Sequence, residues 1–319
     1  MNEINEKDEL FLRPKNLEEF VGQNSLKENL SVFIKAAKQR DESLDHVLLF
    51  GPPGLGKTTL AHIIANELNR NIVTISGPSI ERSGDLVAVL SNLNEGDVLF
   101  IDEIHRISKS SEEILYSAME DYKVDVVIGK DNEARTLNID LAPFTLVGAT
   151  TKPGNISSPL RDRFGYVYQF NPYTIDDMEK IVRRTSNVFD TKTDDDAIKE
   201  IAKRSRFTPR IANRYFKRVR DFAEVNNNGH ITNKVCLDAF NKLGVDEMGL
   251  DSFDLKYLEC IMTRFNGGPV GIETISTSIN EDINTIEDVI EPYLLEIGFI
   301  NRTKQGRTIS ESCIEHLKK

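Results

Sequence analysis

The chain has 319 residues, of which 39% are hydrophobic and 29% charged, and its formal net charge at pH 7 is −11. This composition predicts a globular protein of two or three domains. No apolar run approaches the ~18 residues that a membrane span requires, and the acidic, polar first residues do not resemble a secretory signal, so we expect neither an integral membrane nor a secreted protein.

Short apolar runs alternate with a helical pattern in the first part of the chain. The runs at 46–50, 98–101 and 144–149 predict buried strands, whereas 58–68 has the composition and apolar spacing of a helix. This alternation predicts an α/β fold in which helices cover both faces of a parallel sheet, an αβα arrangement.

Helical periodicity replaces the apolar runs after Asn171-Pro172. We predict helices at 194–205 and 210–224, which together indicate a small helical domain. Glycine and acidic residues interrupt the pattern again at 244–249, where a second domain boundary is expected.

The last segment predicts a small helical domain with a β-hairpin. Apolar residues between 285 and 297 follow helical spacing, but Pro292 lies inside the pattern and predicts a kink or two shorter helices. Residues 299–303 and 307–310 are expected to pair across Lys304–Gly306. The domains are therefore predicted at 1–173, 174–246 and 247–319.

Charge is distributed unevenly over these three domains. The first carries 18 basic and 26 acidic side chains, the second 15 and 12, and the third 7 and 13. Because nucleic acid attracts basic surfaces, the overall acidity argues against broad coating of nucleic acid. Any such contact is expected to be local.

The cysteines give information about the cellular compartment. Cys236, Cys260 and Cys313 are widely spaced and are not part of a cluster with histidines. Neither a disulfide framework nor a zinc site is indicated, and a reducing cytoplasm fits this pattern best.

A phosphate-binding motif follows the first predicted strand. Gly51–Thr58 reads GPPGLGKT and fits the spacing G-x-x-x-x-G-K-[ST] between a strand and a helix. The glycines allow backbone N–H groups to surround phosphate oxygens, Lys57 is expected to reach the β- and γ-phosphates, and Thr58 to bind Mg²⁺. A glycine-rich structural turn is the alternative.

An acidic pair ends the second predicted strand. Asp102 is expected to hold Mg²⁺ through water, and Glu103 to orient or deprotonate the attacking water. Taken alone, an acidic pair after a strand is often just the start of a loop. Its position about 45 residues after Lys57 favours the catalytic interpretation.

Two arginines are candidates for contacts with the γ-phosphate. Arg163 lies just past the third predicted strand and could reach a neighbouring subunit's nucleotide, although an internal pair with Asp162 is the alternative. Arg210 follows Thr208-Pro209 at a predicted helix N-terminus. A cation there opposes the helix dipole, which favours a phosphate partner, and a simple surface role is the alternative.

With these motifs the chain resembles the AAA+ ATPases and, within them, the RuvB family, the motor subunits of the bacterial Holliday-junction branch-migration complex. The resemblance extends from about Leu12 to Arg307. The phosphate-loop and acidic-pair stretches are generic to many ATPases, whereas MEDY (119–122) and the last two stretches are much more specific. The stretches that carry it are LRPKNLEEFVGQ (12–23), FGPPGLGKTTLA (50–61), DVLFIDEIHRI (97–107), YSAMEDYKVDVVIG (116–129), PFTLVGATT (143–151), SPLRDRFG (158–165), TPRIANR (208–214), GGPVG (267–271) and TIEDVIEPYLLEIGF (285–299).

The resemblance implies a large AAA+ P-loop domain, a helical lid and a C-terminal winged-helix head. It also implies roles for individual residues in the nucleotide site. These are adenine-side contacts from Leu12, Arg13 and Tyr173; phosphate contacts from Gly54, Lys57, Thr58 and Thr59; the acidic pair Asp102 and Glu103; sensor 1 at Thr150 or Thr151; the arginine finger Arg163; sensor 2 at Arg210; and an inter-subunit, nucleotide-facing segment at Glu120, Asp121 and Tyr122.

Two further surfaces are implied by the resemblance. The hairpin around Leu137 and Ile139 would dock a RuvA-type junction-binding partner, with ordinary hairpin packing as the alternative. Arg302 and Arg307 on the wing would contact DNA phosphates, because 300–310 is locally basic and has no acid. A solvated basic turn is the alternative there.

The implied activity is ATP- and Mg²⁺-dependent movement of duplex DNA. A homo-hexamer would drive branch migration of Holliday junctions in recombination and DNA repair, with RuvA-type and RuvC-type partners. A protein-remodelling or clamp-loading ATPase and a nucleotide-dependent switch are the rival hypotheses. Two departures from the family pattern are Phe207, where a glycine usually precedes the TPR motif, and Lys304-Gln305, which replace Pro-Arg in the wing.

Overall fold

The structure, a computed structural model, describes residues 12–128 and 135–318. Residues 1–11, 129–134 and 319 lie outside the described residues. The chain divides into two units: one extends to Ile181 and includes Thr208–Arg210, and the other comprises Val182–Phe207 and the chain from Ile211 onward. Within the described residues, no helix is long and apolar enough to cross a membrane.

A five-stranded parallel sheet forms the centre of the first unit. Its strands are β1 (Val47–Phe50), β2 (Ile72–Ser76), β3 (Val98–Asp102), β6 (Thr145–Thr150) and β7 (Tyr166–Gln169). They lie in the order β2-β3-β6-β1-β7. The middle strands are buried on both faces, which explains their continuous apolar runs.

The three predicted strands correspond to β1, β3 and β6, and the structure confirms them. The two edge strands of the sheet, β2 and β7, were not predicted from the sequence. Both are only partly buried and mix polar with apolar residues, so they lack the continuous apolar run that identified the others.

Helices cover the sheet and close the core of this unit. The core includes the fully buried Leu99, Ile101, Leu115, Phe144 and Leu146. The helices of the described residues in this unit are Asn24–Arg40, Lys57–Leu68, Ser83–Ser91, Lys109–Asp121 and Ser158–Arg161, and Ile175–Val188 begins in it.

A separate antiparallel hairpin follows helix Lys109–Asp121. Its strands are β4 (Lys123–Ile128) and β5 (Arg135–Asp140), with Val124 opposite Ile139. Val124 is fully buried, and Ile139 packs against the same core, so the base of this hairpin is anchored to the unit.

The second unit is mainly helical, as predicted. Helices Asp195–Arg204 and Pro209–Asn226 match the two predicted helices within one or two residues. The helices of the described residues from there onward are Asn233–Leu243, Ser252–Glu259, Ile272–Ile279, Ile283–Thr285, Glu291–Glu296 and Glu311–Leu317, with wider π-helical turns at Cys260–Arg264 and Ile286–Ile290.

The predicted interruption at Pro292 takes the form of a change in helical winding. A π-helical turn, Ile286–Ile290, directly precedes the α-helix Glu291–Glu296, whose second residue is the proline. Pro292 lacks an N–H and would clash with the carbonyl of the preceding turn, and a wider turn accommodates it. The predicted hairpin is also present as β8 (Ile300–Thr303) and β9 (Gly306–Ile309).

Two consecutive residues with left-handed backbone, Arg206 and Phe207, each with φ 52°, precede Thr208. This conformation favours glycine, which explains why a glycine suits the position of Phe207. Here side-chain contacts hold the conformation. Arg206 pairs with the buried Asp254 and donates from Nε to the Gly249 carbonyl at 2.8 Å, and the Phe207 ring lies 6.4 Å from that of Tyr293.

Candidate functional site

The glycine-rich loop leaves β1 and ends at the N-terminus of helix Lys57–Leu68. Gly51, Gly54 and Gly56 all have positive φ, and a Cβ on Gly51 would lie 2.8 Å from the Phe170 carbonyl oxygen. Only glycine fits this path without strain. The first N–H groups of a helix have no partner within the helix, so the loop directs hydrogen-bond donors and a positive dipole end at one place.

Lys57, the first residue of this helix, is buried within the loop. Its Nζ donates to the carbonyl oxygens of Gly51 at 2.8 Å and Pro52 at 2.9 Å. Burial lowers the pKa of Lys57, and the nearby carboxylates of Asp102 and Glu103 oppose that shift. The loop lysine and the acidic pair therefore lie close together. Thr58 and Thr59 follow on the same helix and are partly buried.

The acidic pair lies at the carboxyl end of β3. Asp102 is the last residue of the strand, and its Oδ1 accepts a hydrogen bond from the Glu103 backbone N–H at 3.0 Å. Glu103 has a left-handed backbone, with φ 51°, and starts a short 3₁₀ turn. The chain therefore turns sharply directly after Asp102.

The Glu103 carboxylate is held by two side chains. Its Oε2 accepts a hydrogen bond from the Thr151 hydroxyl at 3.2 Å and lies 3.1 Å from Nδ1 of His105. The same Nδ1 is 2.9 Å from the hydroxyl of the fully buried Thr150. Of the two sensor 1 candidates, Thr151 contacts Glu103 directly, whereas Thr150 reaches it only through His105.

His105 was not predicted from the sequence as a residue of the site. It is three residues after Asp102, and a lone histidine after a strand has no spacing signal of its own. Only 7% of its side chain is exposed, and burial lowers the pKa of His105, while the Glu103 carboxylate opposes the shift. The signal that could have found it is its position beside the acidic pair.

Arg163 and Glu120 form an ion pair on the surface of the first unit. Arg163 Nη2 is 2.8 Å from Glu120 Oε2, Nη1 donates to the Pro159 carbonyl at 2.9 Å, and the guanidinium lies 4.8 Å from the centre of the Tyr116 ring. Among the described residues, Nε of Arg163 is buried without a hydrogen-bond partner. The internal partner is thus Glu120, and the predicted alternative of a pair with Asp162 is not formed.

An open surface depression of about 390 Å³ lies beside this ion pair. It is lined by Met119, Glu120, Asp162 and Arg163. The sequence therefore predicted from separate motifs two residues, Glu120 and Arg163, that the structure brings together on one surface.

The other two residues of the predicted nucleotide-facing segment differ in their surroundings. Asp121 is exposed. Tyr122 ends the helix with φ 51°, and its ring packs edge-on against Phe144 at 6.0 Å. Much of Tyr122 therefore contributes to the core.

Arg210 lies against the phosphate loop. Its backbone N–H approaches the Gly54 carbonyl at 3.4 Å, and a Cβ on Gly54 would be 3.2 Å from Arg210 Cβ. The Arg210 side chain is exposed. This position, next to the loop that would cradle phosphates, is compatible with the predicted sensor 2 role.

The predicted adenine-side residues lie in the same unit as the phosphate loop. Tyr173 is buried, donates from its hydroxyl to the Leu55 carbonyl at 2.9 Å, and contacts Gly22 so closely that a Cβ there would be 2.8 Å from its ring. Leu12 is buried and Arg13 is half-buried. Burial and the Arg13 charge both lower the pKa of His62, which places Arg13 near the phosphate-loop helix.

The two wing arginines are directly opposite each other in the β8–β9 hairpin and share one buried carboxylate. Glu291 is 0% exposed and accepts hydrogen bonds from Arg302 Nε at 2.8 Å, Arg307 Nε at 2.9 Å and the Tyr257 hydroxyl at 2.7 Å. Arg307 also pairs with Glu287 at 3.0 Å. Burial would raise the pKa of Glu291, but these hydrogen bonds hold the pKa below its usual value.

The exposure of the two wing arginines differs. The Arg302 side chain is 45% exposed, whereas that of Arg307 is 14% exposed. The alternative of a solvated basic turn is therefore wrong for Arg307, which is enclosed by carboxylates. Arg302 keeps an open edge.

Leu137 and Ile139, the candidates for partner binding, also differ. Leu137 is 50% exposed, whereas Ile139 is partly buried against the core of the first unit. The position of Leu137 fits a protein contact, and that of Ile139 fits hairpin packing.

Metal-binding capacity at this site is limited to a few oxygens. Among residues 12–128 and 135–318, no three or more histidine, cysteine or acidic side chains are grouped to hold a metal ion. The oxygens of Thr58 and Asp102 suit Mg²⁺, which keeps several waters and is usually bound by one or two protein oxygens plus substrate phosphates.

A parallel sheet with a phosphate loop after β1, an acidic pair after β3 and a helical segment that returns an arginine to the loop define a P-loop ATPase of the AAA+ class. Models of three domains match almost the whole described chain. They are the Holliday junction DNA helicase RuvB P-loop domain at 12–170, the RuvB AAA lid domain at 173–246 and the RuvB C-terminal winged helix domain at 247–318.

Relatives and solved structures agree with these matches. The chain is 58% identical to the Holliday junction branch migration complex subunit RuvB of Phytoplasma mali, over 96% of this chain and 92% of that protein. It is 57% identical to that of Staphylococcus haemolyticus, over 97% and 94%. The Thermotoga maritima RuvB Holliday junction branch migration motor is similar with a TM-score of 0.87 and 49% identity, over 97% of this chain and 98% of that one. The chain therefore belongs to the RuvB family.

Proposed function

We propose that this protein is an ATP-driven motor that moves duplex DNA and drives branch migration of Holliday junctions in recombination and DNA repair. One observation supports the proposal: this chain of the RuvB family combines a phosphate loop, an acidic pair at the end of β3 and a winged-helix segment. The class of reaction is phosphoryl transfer to water, coupled to movement of DNA.

The residues that follow β1 and end β3 each have a role in binding or hydrolysing the nucleotide. Lys57 exchanges its two carbonyl partners for the β- and γ-phosphates, which the position of its Nζ within the phosphate loop supports. Thr58 and Asp102 would hold Mg²⁺, whose charge neutralises phosphate oxygens. Glu103 orients the attacking water and accepts its proton. Thr59, Tyr173, Leu12 and Arg13 hold the remainder of the nucleotide.

Completion of the site requires a second copy of the chain. Arg163 lies on an open surface beside Glu120 and Asp162, with one guanidinium nitrogen lacking a partner among the described residues. As an arginine finger, it exchanges Glu120 for the γ-phosphate of the neighbouring subunit and stabilises the charge of the transition state. A ring in which each subunit contacts the next head to tail supplies one finger to every site. The number of copies in this ring comes from the resemblance to the RuvB family, which implies a homo-hexamer.

The contact with DNA is made by the wing and does not read sequence. Arg302 has the exposed edge that a phosphate contact needs, and Arg307 is the second candidate. Leu137, with Ile139 beside it, is the proposed contact for a RuvA-type junction-binding protein, and a RuvC-type resolvase is a further partner. The protein acts in the cytoplasm.

We expect four-way DNA and a RuvA-type protein to stimulate both ATP hydrolysis and strand displacement from a labelled four-way junction. Glu103→Gln removes the proton-accepting carboxylate at almost constant size, so both activities are expected to fall by about 10²-fold or more, while binding of a fluorescent ATP analogue is retained. A steady-state phosphate assay and gel analysis of the junction measure the two activities.

The outcomes of this assay separate the proposal from its rivals. ATP hydrolysis that responds to unfolded protein and not to DNA would favour a protein-remodelling ATPase. Slow hydrolysis unchanged by Glu103→Gln would favour a nucleotide switch. Either result contradicts the motor proposal.

A further inference from the structure

His105 connects the acidic pair to the end of β6. Its Nδ1 lies 3.1 Å from the Glu103 carboxylate and 2.9 Å from the Thr150 hydroxyl. Within the described residues of this site, it is the only atom in hydrogen-bond distance of both groups. The Thr150 hydroxyl oxygen in turn accepts the Lys152 backbone N–H at 3.0 Å. Thr150 is fully buried, so this chain of contacts has a rigid end and a movable end.

The movable end is Glu103. One third of its side chain is exposed, and Oε2 is contacted by the Thr151 hydroxyl and by His105. Glutamate has several rotatable bonds, and without these contacts its carboxylate would sample orientations that do not face the attacking water. Fixing such a group before the reaction lowers the barrier, because a misplacement of about 1 Å can cost about 10²-fold in rate.

The chemistry of imidazole suits this role. Burial lowers the pKa of His105, and the Glu103 carboxylate opposes the shift. A proton on Nδ1 is shared between the Glu103 carboxylate at 3.1 Å and the Thr150 hydroxyl oxygen at 2.9 Å, which also accepts the Lys152 backbone N–H. This N–H group holds the carboxylate in place and leaves its charge available for the proton of water.

We propose that His105 is a positioning residue that orients the Glu103 carboxylate for ATP hydrolysis, with Thr150 fixing the imidazole. This inference rests on the proposed function, since it assigns Glu103 as the proton acceptor. Glu103 takes a proton from the water whose oxygen bonds to the γ-phosphorus as the bond to the ADP oxygen breaks. His105 gains and loses no proton in this step.

Three substitutions at His105 test the proposal by where they place polar atoms. His105→Ala removes both contacts and is expected to lower kcat by about 10²-fold with little change in KM for ATP. His105→Asn puts an amide near the position of Nδ1 and is expected to recover most of the lost kcat. His105→Gln, the matched control, puts its amide near the position of Nε2 and is expected to recover little.

A double-mutant cycle shows whether His105 acts through Glu103. In Glu103→Gln protein, the further substitution His105→Ala is expected to leave single-turnover hydrolysis unchanged, because the group that it positions is already absent. Equal multiplicative losses in both backgrounds would overturn the proposal, as would a wild-type kcat for His105→Ala or equal activities of the Asn and Gln variants.

The controls distinguish this inference from the proposed function. Thermal unfolding and ATP-analogue binding of the full chain establish that each variant is folded, and if His105→Ala does not fold, the Asn and Gln pair provides the comparison. If Glu103→Gln hydrolyses ATP at the wild-type rate, the proposed function fails. If Glu103→Gln is inactive and His105→Ala is fully active, only the present inference fails.

Discussion

Arg163→Ala is expected to lower kcat for ATP hydrolysis by about 10³-fold or more while ATP binding is retained. An arginine finger contributes about 10³ to 10⁵ to kcat, because it neutralises charge that develops only in the transition state. In the isolated chain the guanidinium is bound by Glu120 and lies over Tyr116, so its loss removes no contact with the phosphate loop of its own subunit. Steady-state hydrolysis and binding of a fluorescent ATP analogue provide the measurement.

Arg161→Ala is the matched control for this prediction. Arg161 lies two residues away, is exposed, and carries the same charge. We expect it to retain most of the wild-type kcat, since a change in net charge alone does not affect the γ-phosphate. An Arg163→Ala preparation with full activity would eliminate the proposed role for the finger, as would equal losses in both variants.

Arg307→Ala is expected to destabilise the protein by about 3–5 kcal/mol. Glu291 is fully buried, and Arg307 supplies one of its two cationic partners, so the substitution leaves a buried carboxylate with incomplete compensation. Arg307 also bridges to Glu287, which increases the loss. Denaturant unfolding of the full chain, followed by the fluorescence of its tyrosines and by circular dichroism, measures the change.

Arg302→Ala is the comparison that separates stability from binding of DNA. Arg302 contacts the same carboxylate but is 45% exposed, so a smaller loss of stability is expected. If its open edge contacts a phosphate, the slope of log affinity against log salt for duplex DNA falls by about 0.9 in magnitude. Unfolding of Arg307→Ala at the wild-type denaturant concentration would contradict the structural role, and an unchanged salt slope for Arg302→Ala would contradict the contact.

The sequence predicts those features of the molecule whose pattern lies within a short stretch of the chain. The buried strands β1, β3 and β6, the phosphate loop and the acidic pair all have local patterns, namely continuous apolar runs and fixed motif spacing. The edge strands β2 and β7 are half-exposed and lack that pattern. Local periodicity also predicted the disturbance at Pro292 but not its π-helical form.

The contacts that complete the sites join residues far apart in sequence. His105 meets Thr150 across 45 positions, Arg163 meets Glu120 across 43, and Arg307 meets Glu291 across 16. No single-sequence pattern specifies such pairs, because they depend on the packing of separate elements. The difference between Arg302 and Arg307 could not be predicted for the same reason, because the carboxylate that encloses Arg307 lies outside the basic stretch that identified both as DNA contacts.

ATP hydrolysis by a mixture of Lys57→Ala and Arg163→Ala subunits shows whether each catalytic site is shared between two copies of the chain. Each variant alone is expected to be nearly inactive, the first because it lacks the phosphate-loop lysine and the second because it lacks the finger. When the two are mixed in equal amounts on duplex DNA, about a quarter of the interfaces in a head-to-tail ring combine an intact phosphate loop with an intact finger. We predict that the mixture regains about a quarter of the wild-type activity, and a mixture no more active than its two components would contradict catalysis shared between subunits.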